Sequence, residues 1–325
     1  MGTEAAAKET KGNRYEKSKN RHSEGVEVEI AGQTLNLSNL DKVYWPDEGY
    51  TKGDLINYYR QVARWMLPYL KDRPQSLHRH PNGIKEAGFY QRDIKSQLPD
   101  WIETVEIYSE STKRNLAHIL CQDEATLTYL NNLGCIEIHP WNSRVQSLEK
   151  PDYAAIDLDP GENTYDQVVE VALEVKQVLD HAGVSCYCKT SGATGMHIFV
   201  PLGRQYTFDE AEIFARRVAE LVHARLPELT SLERSPKQRR KQVYIDYLQN
   251  NIGQSLAAAY SVRPIPGATV STPLLWSEVK KGLSPSDFNI HTVPERINQL
   301  GDIFGGVLGS GIDLEKCLEK LKSGS

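Results

Sequence analysis

The sequence predicts an α+β fold whose second half contains a β-α-β-β-α-β unit. Between Tyr153 and Asn250, four apolar segments of strand length alternate with two longer segments of helical periodicity in that order. Ahead of this unit, residues 26–30 (VEVEI) alternate apolar and charged side chains as a half-buried strand does, and residues 51–70 repeat apolar residues at helical spacing. We therefore expect a split βαβ, ferredoxin-like sheet preceded by a portion that also mixes strands and helices.

The first half of the chain contains two predicted helices and two predicted strands. Residues 1–24 precede them and combine mixed charges with almost no apolar residues, which predicts a disordered tail or an interdomain linker. A helix is predicted over 115–134, ending at Gly134, and it leads into a strand over 135–141. The helix over 51–70 has its apolar residues at core spacing, namely Leu55, Tyr58, Tyr59, Val62 and Met66.

The β-α-β-β-α-β unit begins with a strand over 153–159 (YAAIDLD), which Pro160 and Gly161 end. The next elements are recognised by their apolar spacing and by capping residues at their ends. In chain order they are a helix over 164–183 with Asn163 or Thr164 as N-cap, a strand over 184–190, a turn over 191–195, a strand over 196–202, a helix over 207–229 with Thr207 as N-cap, and a strand over 241–250.

The composition is that of a globular protein with one large or two modest domains. Of 325 residues, 39% are hydrophobic and 25% are charged, and the formal net charge is −5. This mildly acidic balance argues against a nucleic-acid coat protein but is compatible with a local basic groove. The five cysteines form no CxxC motif, which favours a reducing cytoplasm. No apolar run approaches the roughly 18 residues of a membrane-spanning helix.

Two carboxylates lie in the middle of the first strand of the unit. Asp157 and Asp159 are two residues apart, so their side chains project from the same face of the strand. In the expected topology this strand is central, between the third strand, which carries His197, and the last strand, which carries Asp246. Three carboxylates on one sheet face would suit two hard cations such as Mg²⁺ or Mn²⁺, which support phosphoryl transfer. The alternative is a solvated strand end at which Asp159 begins an Asp-Pro turn.

The turn over 191–195 is built from small residues. Ser191, Gly192 and Gly195 would allow a ligand to approach the backbone, whose N–H groups can hold phosphate oxygens. His197 follows closely and could donate to a phosphate. An ordinary hairpin turn beside a structural histidine is the alternative, and the Walker A ending is absent.

Basic residues cluster ahead of the last strand. They form either a solvated loop or a site for a triphosphate or for backbone phosphates. Arg263 and His139 have similar potential, although each alone is more often structural. The cluster consists of Arg234, Lys237, Arg239, Arg240 and Lys241.

Together these segments resemble a known family, the polymerase domain of bacterial DNA ligase D. This family belongs to the archaeo-eukaryotic primase superfamily and serves non-homologous end joining. The resemblance extends from about Val26 to about Leu308, with the motifs in the family's order. It rests on the segments LDKVYWPDEGYTKGDLINYYRQVA, AAIDLDPGE, KTSGATGMHIFVPL, VYIDYLQN and AAAYSVRPIPGATVSTPLLW.

The resemblance implies an archaeo-eukaryotic primase-like fold of the α+β class. An RRM-like catalytic core (split βαβ, ferredoxin-like) over 151–308 would carry an additional N-terminal α/β portion over 25–150. The two would form a single primase-polymerase domain over 25–308, followed by a C-terminal helix and tail over 309–325. Neither a ligase nor a nuclease module fits on the chain, and the linker-like residues 1–24 suggest a domain cut from a larger protein or a stand-alone polymerase.

The resemblance also implies roles for individual residues. Metal binding and catalysis would fall on Asp157, Asp159 and Asp246. Nucleotide contacts would fall on His139, Ser191, His197, Gln249 and Arg263, and also on Arg239, where the basic run aligns more loosely. Lys42 and Lys52 match two lysines that hold the 5′-phosphate of a broken DNA end. Phe89 and Tyr90 match an aromatic pair beside the template base, where the family commonly has two phenylalanines.

One position departs from the family's pattern. The family's turn usually reads Ser-Gly-x-Lys-Gly, and here Thr194 replaces the lysine. A threonine hydroxyl can bind a phosphate but supplies no charge. We therefore expect either a lower nucleotide affinity or compensation by Arg239, Arg240 or Lys189.

The implied function is template-directed addition of nucleoside triphosphates, with a ribonucleotide preference, to 3′-hydroxyl ends at gaps or double-strand breaks. Two divalent ions, Mn²⁺ or Mg²⁺, would assist. The implied partners are DNA with 5′-phosphorylated gaps or ends, nucleoside triphosphates, and Ku and a DNA ligase in cis or in trans, at the bacterial nucleoid in the cytoplasm and away from membranes. Two other classes stay open: a Mn²⁺-dependent glycosyltransferase that uses the D-x-D pair without Asp246, and a DNA-end binding module whose metal site has decayed.

Overall fold

The computed structural model describes residues 25–94, 98–239 and 241–323. The tail or linker predicted over 1–24 and the side chain of Arg240 therefore lie outside the described residues. Within the described ranges, no helix is both long and apolar enough to cross a membrane. The α-helices of these ranges are α1 (Lys52–Leu70), α2 (Glu124–Asn132), α3 (Tyr165–His181), α4 (Phe208–Arg225), α5 (Thr292–Leu300) and α6 (Leu314–Ser323).

The strands form one large sheet in the second half and several small sheets in the first half. In chain order the strands are β1 (Val26–Ile30), β2 (Gln33–Leu37), β3 (Val43–Trp45), β4 (Tyr50–Thr51), β5 (Gln75–Arg79), β6 (Phe89–Gln91), β7 (Thr104–Ser109), β8 (Arg114–Ile119), β9 (Cys135–Pro140), β10 (Tyr153–Asp159), β11 (Tyr187–Thr190), β12 (Met196–Pro201), β13 (Thr230–Ser231), β14 (Val243–Asp246) and β15 (Pro273–Leu274).

The large sheet confirms the expected split βαβ topology. Its strand order is β13-β14-β10-β12-β11-β15, so the first strand of the unit lies between the third and the last. Strand β10 is antiparallel to both neighbours. The helices α3 and α4 connect the strands as predicted, and both cover the same face of the sheet.

The two faces of β10 have different surroundings. Ala154, Ile156 and Leu158 pack into a hydrophobic core with the apolar residues of α3 and α4. Tyr153 and Ala155 face the other way and belong to a core that they share with the first half of the chain. Since Asp157 and Asp159 alternate with Leu158, they also project toward the first half. The site therefore opens on the face that the N-terminal portion partly covers.

Helix α1 begins where the sequence predicts, because its cap is encoded locally. The Thr51 hydroxyl accepts from the Asp54 N–H at 3.2 Å, and the Asp54 carboxylate accepts from the Thr51 N–H at 2.8 Å. The same reciprocal arrangement joins Thr207 and Glu210 at the start of α4. The five apolar residues predicted for the core of α1 are all fully buried.

The helix predicted over 115–134 is wrong in its first half. Residues 114–119 form β8, which pairs with β7 as a hairpin, and the helix that follows covers only Glu124–Asn132. The Asp123 side chain accepts from the Thr126 N–H at 2.7 Å, which sets the start of α2 at that point. The strands predicted over 184–190 and 241–250 are also shorter in the structure, where they cover Tyr187–Thr190 and Val243–Asp246.

A buried ion pair joins the first half of the chain to the large sheet. Arg73 follows α1 and is fully buried, and its guanidinium donates to the Asp152 carboxylate at 2.5 Å. Arg144 donates to the same oxygen at 3.1 Å. The Asp152 carbonyl in turn accepts from the Leu202 N–H just after β12. Asp152 thus links α1 to the start of β10.

Candidate active site

The three predicted aspartates lie on adjacent strands of the large sheet. In the sheet register Asp157 is opposite Asp246 on β14 and opposite His197 on β12. Asp159 lies on the same face of β10 as Asp157. His197 Nε2 is 3.4 Å from Asp157 Oδ1. The fold therefore brings together three carboxylates and one imidazole that are distant in sequence.

The Asp157 carboxyl lies in a strongly acidic environment. Burial, followed by the negative charges of Asp246 and Asp159, raises its pKa from an ordinary 3.8 to about 7. The positive charges of Lys189 and Arg263 act in the opposite direction but do not cancel the effect. Carboxylate oxygens are preferred ligands of Mg²⁺ and Mn²⁺, so the donor set and its excess negative charge fit a hard divalent cation.

Two of the three carboxylates also accept hydrogen bonds from protein side chains. Asp159 Oδ2 accepts from Arg239 Nη1 at 2.9 Å, and Asp246 Oδ2 accepts from Gln249 Nε2 at 2.9 Å. In the part of the chain that the structure describes, no three His, Cys, Asp or Glu side chains are arranged as a ready metal-ligand group. A cation that used all three aspartates would therefore replace Arg239 and Gln249 as their partners.

A buried lysine supports His197 from below the site. Lys189 Nζ is 2.8 Å from His197 Nδ1 and also donates to the Ser271 hydroxyl. Burial, and then the charge of Arg263, holds the pKa of Lys189 well below its usual range, and burial likewise lowers the pKa of His197. The contact with Lys189 at Nδ1 sets the orientation of the imidazole ring, and Nε2 faces Asp157. Lys189 is thus buried and bonded to His197 and Ser271, whereas Thr194 is exposed.

The turn over 191–195 has a fixed shape. The Ser191 hydroxyl accepts from the N–H groups of Ala193 and Gly195 at 3.1 and 3.0 Å. Gly192 has a φ of +76°, and a Cβ there would lie 2.7 Å from the Ser271 nitrogen, so only glycine fits. Two N–H groups that the sequence offered for phosphates are therefore already bonded to Ser191. Thr194 is exposed at the tip of the turn.

Arg239 lies beside a basic cavity next to the aspartates. The cavity has a volume of about 490 Å³, and its charged lining consists of three basic residues, Lys237, Arg239 and Lys241, and two acidic residues, Asp159 and Glu162. The Arg239 guanidinium also stacks over the Tyr244 ring at 3.8 Å. Part of the predicted basic cluster therefore borders the carboxylates.

Glu137 is a member of the site that sequence reasoning missed. It lies on β9 and is 1% exposed. Its carboxylate is 2.7 Å from His139 Nε2, 2.8 Å from Arg263 Nε and 3.1 Å from His78 Nδ1. Burial opposes its ionisation, but the two histidines and Arg263 together hold the pKa of Glu137 well below its usual range. The E-x-H spacing on a strand, which places Glu137 and His139 on one face, was the available signal.

The predicted aromatic pair lies on β6. Phe89 and Tyr90 are 46% and 56% exposed, so both rings are accessible to a ligand. The Tyr90 ring is stacked on the His78 ring at 4.2 Å with an interplanar angle of 6°. The Arg79 guanidinium lies over the Phe89 ring at 5.3 Å.

The predicted phosphate-binding lysines lie at the start of α1 and just before β3. Lys52 is 3% exposed, and its Nζ donates to the Ser38 carbonyl and to Asn132 Oδ1 at 2.6 and 2.7 Å. Burial, together with the charge of Lys42, lowers the pKa of Lys52 to about 8. Lys42 Nζ donates to the Pro81 carbonyl at 2.8 Å. The two lysines are near enough for the charge of Lys42 to act on Lys52.

The site and its scaffold define a class of protein. A split βαβ sheet that carries three aspartates on its open face, with an N-terminal portion packed on that face, is an archaeo-eukaryotic primase-like fold of the α+β class. Within this class, the family model described as the LigD primase-polymerase domain matches residues 51–304. The chain belongs to the LigD primase-polymerase domain family, as the sequence motifs predicted.

Several known proteins are similar to this chain. It is 34% identical over 283 residues to the bifunctional non-homologous end joining protein LigD of Bacillus subtilis, and 30% identical over 286 residues to the multifunctional non-homologous end joining protein LigD of Mycolicibacterium smegmatis. These matches include 86% and 87% of the chain but only 44% and 37% of the two relatives, so the chain spans less than half of their length.

A solved structure has the same fold. It is the polymerase domain from Mycobacterium tuberculosis ligase D in complex with DNA, which matches with a TM-score of 0.79 and 27% sequence identity. The match covers 86% of this chain and 99% of that chain.

Proposed function

We propose that this domain is a template-directed nucleotidyltransferase that adds nucleoside triphosphates to 3′-hydroxyl ends at gaps or double-strand breaks in non-homologous end joining. The observation that carries the proposal is the pairing of Asp157 with Asp246 on adjacent strands, with Asp159 on the same face beside a basic cavity. The names of the relatives and the DNA complex of the structural neighbour support it.

In this proposal the three aspartates hold divalent cations, Mn²⁺ or Mg²⁺. Ions bound there would neutralise phosphate charge and lower the pKa of the attacking 3′-hydroxyl. Asp157 and Asp159 would share the ions, and Asp246 would complete the site nearest the 3′-hydroxyl.

The neighbouring basic residues would hold the incoming nucleotide. If Asp159 held a cation, Arg239 Nη1 would be available to the triphosphate together with Lys237 and Lys241, while Nε and Nη2 remain on the Glu233 and Arg234 carbonyls. His197 Nε2, which faces Asp157, would contact a phosphate oxygen. His139, Ser191, Gln249 and Arg263 would position the sugar, the triphosphate or the base.

The remaining residues of the site would bind DNA. Lys42 and Lys52 would hold a 5′-phosphate, and Phe89 and Tyr90 would stack beside the template base. Stacking on an aromatic face contributes about 1–3 kcal/mol per base. The family resemblance supports four further proposals. They are a preference for ribonucleotides, domain limits of 25–308 with a division at 150, a partnership with Ku and a ligase, and an intracellular place at the nucleoid.

One experiment tests the proposed function. The wild-type protein should extend the 3′-hydroxyl of a 5′-phosphorylated gapped duplex in the presence of Mn²⁺, and Asp157→Ala and Asp246→Ala should each reduce the rate by roughly 100-fold or more. Asp180→Ala, which changes an exposed aspartate of α3, is the matched control and should keep the wild-type rate.

Three results would contradict the proposal. Wild-type protein that binds gapped DNA without extending it would point to a DNA-end binding module. Normal extension by both active-site variants would exclude the aspartates as metal ligands. Transfer from a sugar nucleotide that needs Asp157 but not Asp246 would favour a glycosyltransferase.

A further inference from the structure

The buried carboxylate of Glu137 contacts three groups of the site at once. Oε1 is 2.7 Å from His139 Nε2 and 2.8 Å from Arg263 Nε, and Oε2 is 3.1 Å from His78 Nδ1. The Arg263 contact is an ion pair without the alignment of a hydrogen bond. These contacts come from three segments, β5, β9 and the loop that contains Arg263. Glu137 is therefore the point at which these segments meet.

Two of these groups, His139 and Arg263, belong to the nucleotide side of the proposed site. Arg263 donates through Nη1 to the Ser191 carbonyl, so it is in contact with the turn over 191–195. His139 and Arg263 are both assigned to the nucleotide by the proposed function. Their side chains share one oxygen of Glu137, so a displacement of that oxygen would displace both.

The third group, His78, belongs to the template side of the proposed site. The His78 ring lies flat against the Tyr90 ring, with centroids 4.2 Å apart. The His139 ring also contacts Tyr90, edge to face, with centroids 5.7 Å apart. Glu137 thus fixes the histidine that supports Tyr90 from behind, and it fixes the second histidine that borders the same ring.

The three partners of Glu137 depend on one another because they share one buried negative charge. A buried carboxylate without partners is very unfavourable, and removing its partners or its charge leaves the remaining groups without compensation. Glu137 is ionised because its three cationic or donor partners favour the charged form more than burial opposes it. The geometry of His78, His139 and Arg263 is therefore coupled through a single anion.

We propose that Glu137 is a positioning residue that fixes the nucleotide-binding pair, His139 and Arg263, relative to the template-side ring of Tyr90. Selection of the incoming base against the template would then depend on Glu137, which itself contacts neither. This inference rests on the proposed function, because it assigns the two sides of the site to the nucleotide and the template.

The test compares two buried carboxylates that have similar surroundings. Asp152 is 4% exposed and forms ion pairs with Arg73 and Arg144, which have no role in the proposed site. Asp152→Asn is therefore matched to Glu137→Gln in burial and in the loss of an ion pair. Both variants should lower the melting temperature. Only Glu137→Gln should raise the KM for the nucleoside triphosphate, by roughly 10- to 100-fold, because misplacement of about 1 Å costs up to two orders of magnitude.

A second readout concerns base selection. The preference for a matched over a mismatched nucleotide should fall several-fold in Glu137→Gln and stay at the wild-type value in Asp152→Asn. His78→Phe preserves an aromatic ring against Tyr90 but removes the contact with Glu137, and it should reduce base selection with a smaller effect on KM. Glu137→Asp retains the charge and should recover part of both losses.

The outcomes separate this inference from the proposed function. A wild-type protein that extends no primer would overturn both. An active wild type, with KM and base selection unchanged within twofold in Glu137→Gln, would overturn the positioning role alone. Equal changes in KM for Glu137→Gln and Asp152→Asn would show that the change in KM comes from a general loss of stability, and this result would also overturn the positioning role. If Glu137→Gln does not fold, the positioning role would be overturned by unchanged KM and unchanged base selection in both Glu137→Asp and His78→Phe.

Discussion

Ionisation of Asp157 is unfavourable because the side chain is buried and lies near Asp246 and Asp159. Its pKa is raised to about 7 in the folded protein, whereas the ordinary value is 3.8. The folded state therefore favours the protonated form, and the stability linked to this group is fully present below pH 4 and is lost as the pH rises through 7. Above pH 7, the protein without a cation therefore holds an unfavourable negative charge at Asp157.

The first prediction follows from this charge. Asp157→Asn should leave stability unchanged at pH 4 and should stabilise the metal-free protein above pH 7, by at most about 4 kcal/mol. Urea unfolding of both proteins in EDTA between pH 4 and pH 8 would measure the difference. Addition of Mn²⁺ at pH 7.5 should stabilise the wild type more than the variant. A pH-independent difference would show that the charge of Asp157 is not the cause.

The second prediction concerns Lys52, whose pKa is lowered to about 8. The folded protein favours its neutral form, so protonated Lys52 lowers stability below pH 8 and the cost disappears as the pH rises above the ordinary value of 10.5. A 5′-phosphate needs the protonated form. The preference for 5′-phosphorylated over unphosphorylated gapped DNA should therefore decrease as the pH rises from 7 to 9.5.

Binding measurements on matched duplexes would check the Lys52 prediction. Lys52→Ala and Lys42→Ala should weaken binding to phosphorylated gaps more than to unphosphorylated ones, and Lys52→Ala should abolish the pH dependence of the preference. Lys85→Ala, at an exposed lysine paired with Asp47, is the control and should keep both. Equal losses on the two duplexes would contradict a role in phosphate recognition.

At this scale the sequence predicts residues with a recognisable spacing better than residues that act through tertiary contacts. Asp157 and Asp159 are two apart on one strand, so their shared face follows from the strand period alone. Glu137 has His139 two residues away, but its contacts with His78 and Arg263 join segments that no local pattern relates. The ion pair between Asp159 and Arg239 was equally invisible in the sequence.

Among the elements, β10 depends on one side chain for part of its hydrogen bonding. Strand β14 pairs with β10 only from Asp157 to Asp159. Next to that stretch, Asn250 Oδ1 accepts from the Ala155 N–H at 2.8 Å and its Nδ2 donates to the Ala155 carbonyl at 2.7 Å. Asn250 thus replaces a strand partner where β14 has ended.

The third prediction is that Asn250→Ala destabilises the protein by about 2–4 kcal/mol, since two buried backbone groups would lose their partner. The free energy of unfolding in urea would measure the loss. Asn251→Ala, at the exposed neighbour, should change it by less than about 0.5 kcal/mol. A similar small change in Asn250→Ala would mean that water can substitute for the amide.

Elements with local signals were predicted well, and elements decided by partners were not. The caps of α1 and α4 are encoded by Thr51 with Asp54 and by Thr207 with Glu210, and both helices begin as expected. Residues 114–119 have apolar spacing that suits either a strand or a helix, and only pairing with β7 decides between them.

In the whole molecule, the Arg73–Asp152 pair holds the N-terminal portion against the large sheet. Both side chains are buried, and Asp152 has Arg144 as a second partner. Removing one member of such a pair leaves a buried charge without compensation.

The fourth prediction is that Asp152→Ala lowers the free energy of unfolding by about 3–5 kcal/mol. Calorimetric or urea unfolding would measure it. Primer extension per folded molecule should stay at the wild-type level at temperatures where the variant is folded. Loss of extension in fully folded protein would instead show that this junction shapes the site.

The arrangement of the whole molecule was the least accessible to local sequence reasoning. The order of strands in the large sheet followed from the β-α-β-β-α-β pattern, because this topology leaves few alternatives. Only the family resemblance predicted that the first half accompanies this sheet, and nothing in the sequence indicated that it packs on the carboxylate face. Long-range pairs such as Arg73 with Asp152 carry no signal in a single sequence.

The two faces of β10 have a consequence for mutational scanning. From Ile156 to Asp159 the strand alternates between a side chain in the core under α3 and α4 and a side chain on the open face. Substitutions along this stretch should produce phenotypes that alternate with a period of two. Changes at Ile156 and Leu158 should reduce the yield of folded protein, and changes at Asp157 and Asp159 should abolish the proposed primer extension while the protein accumulates normally.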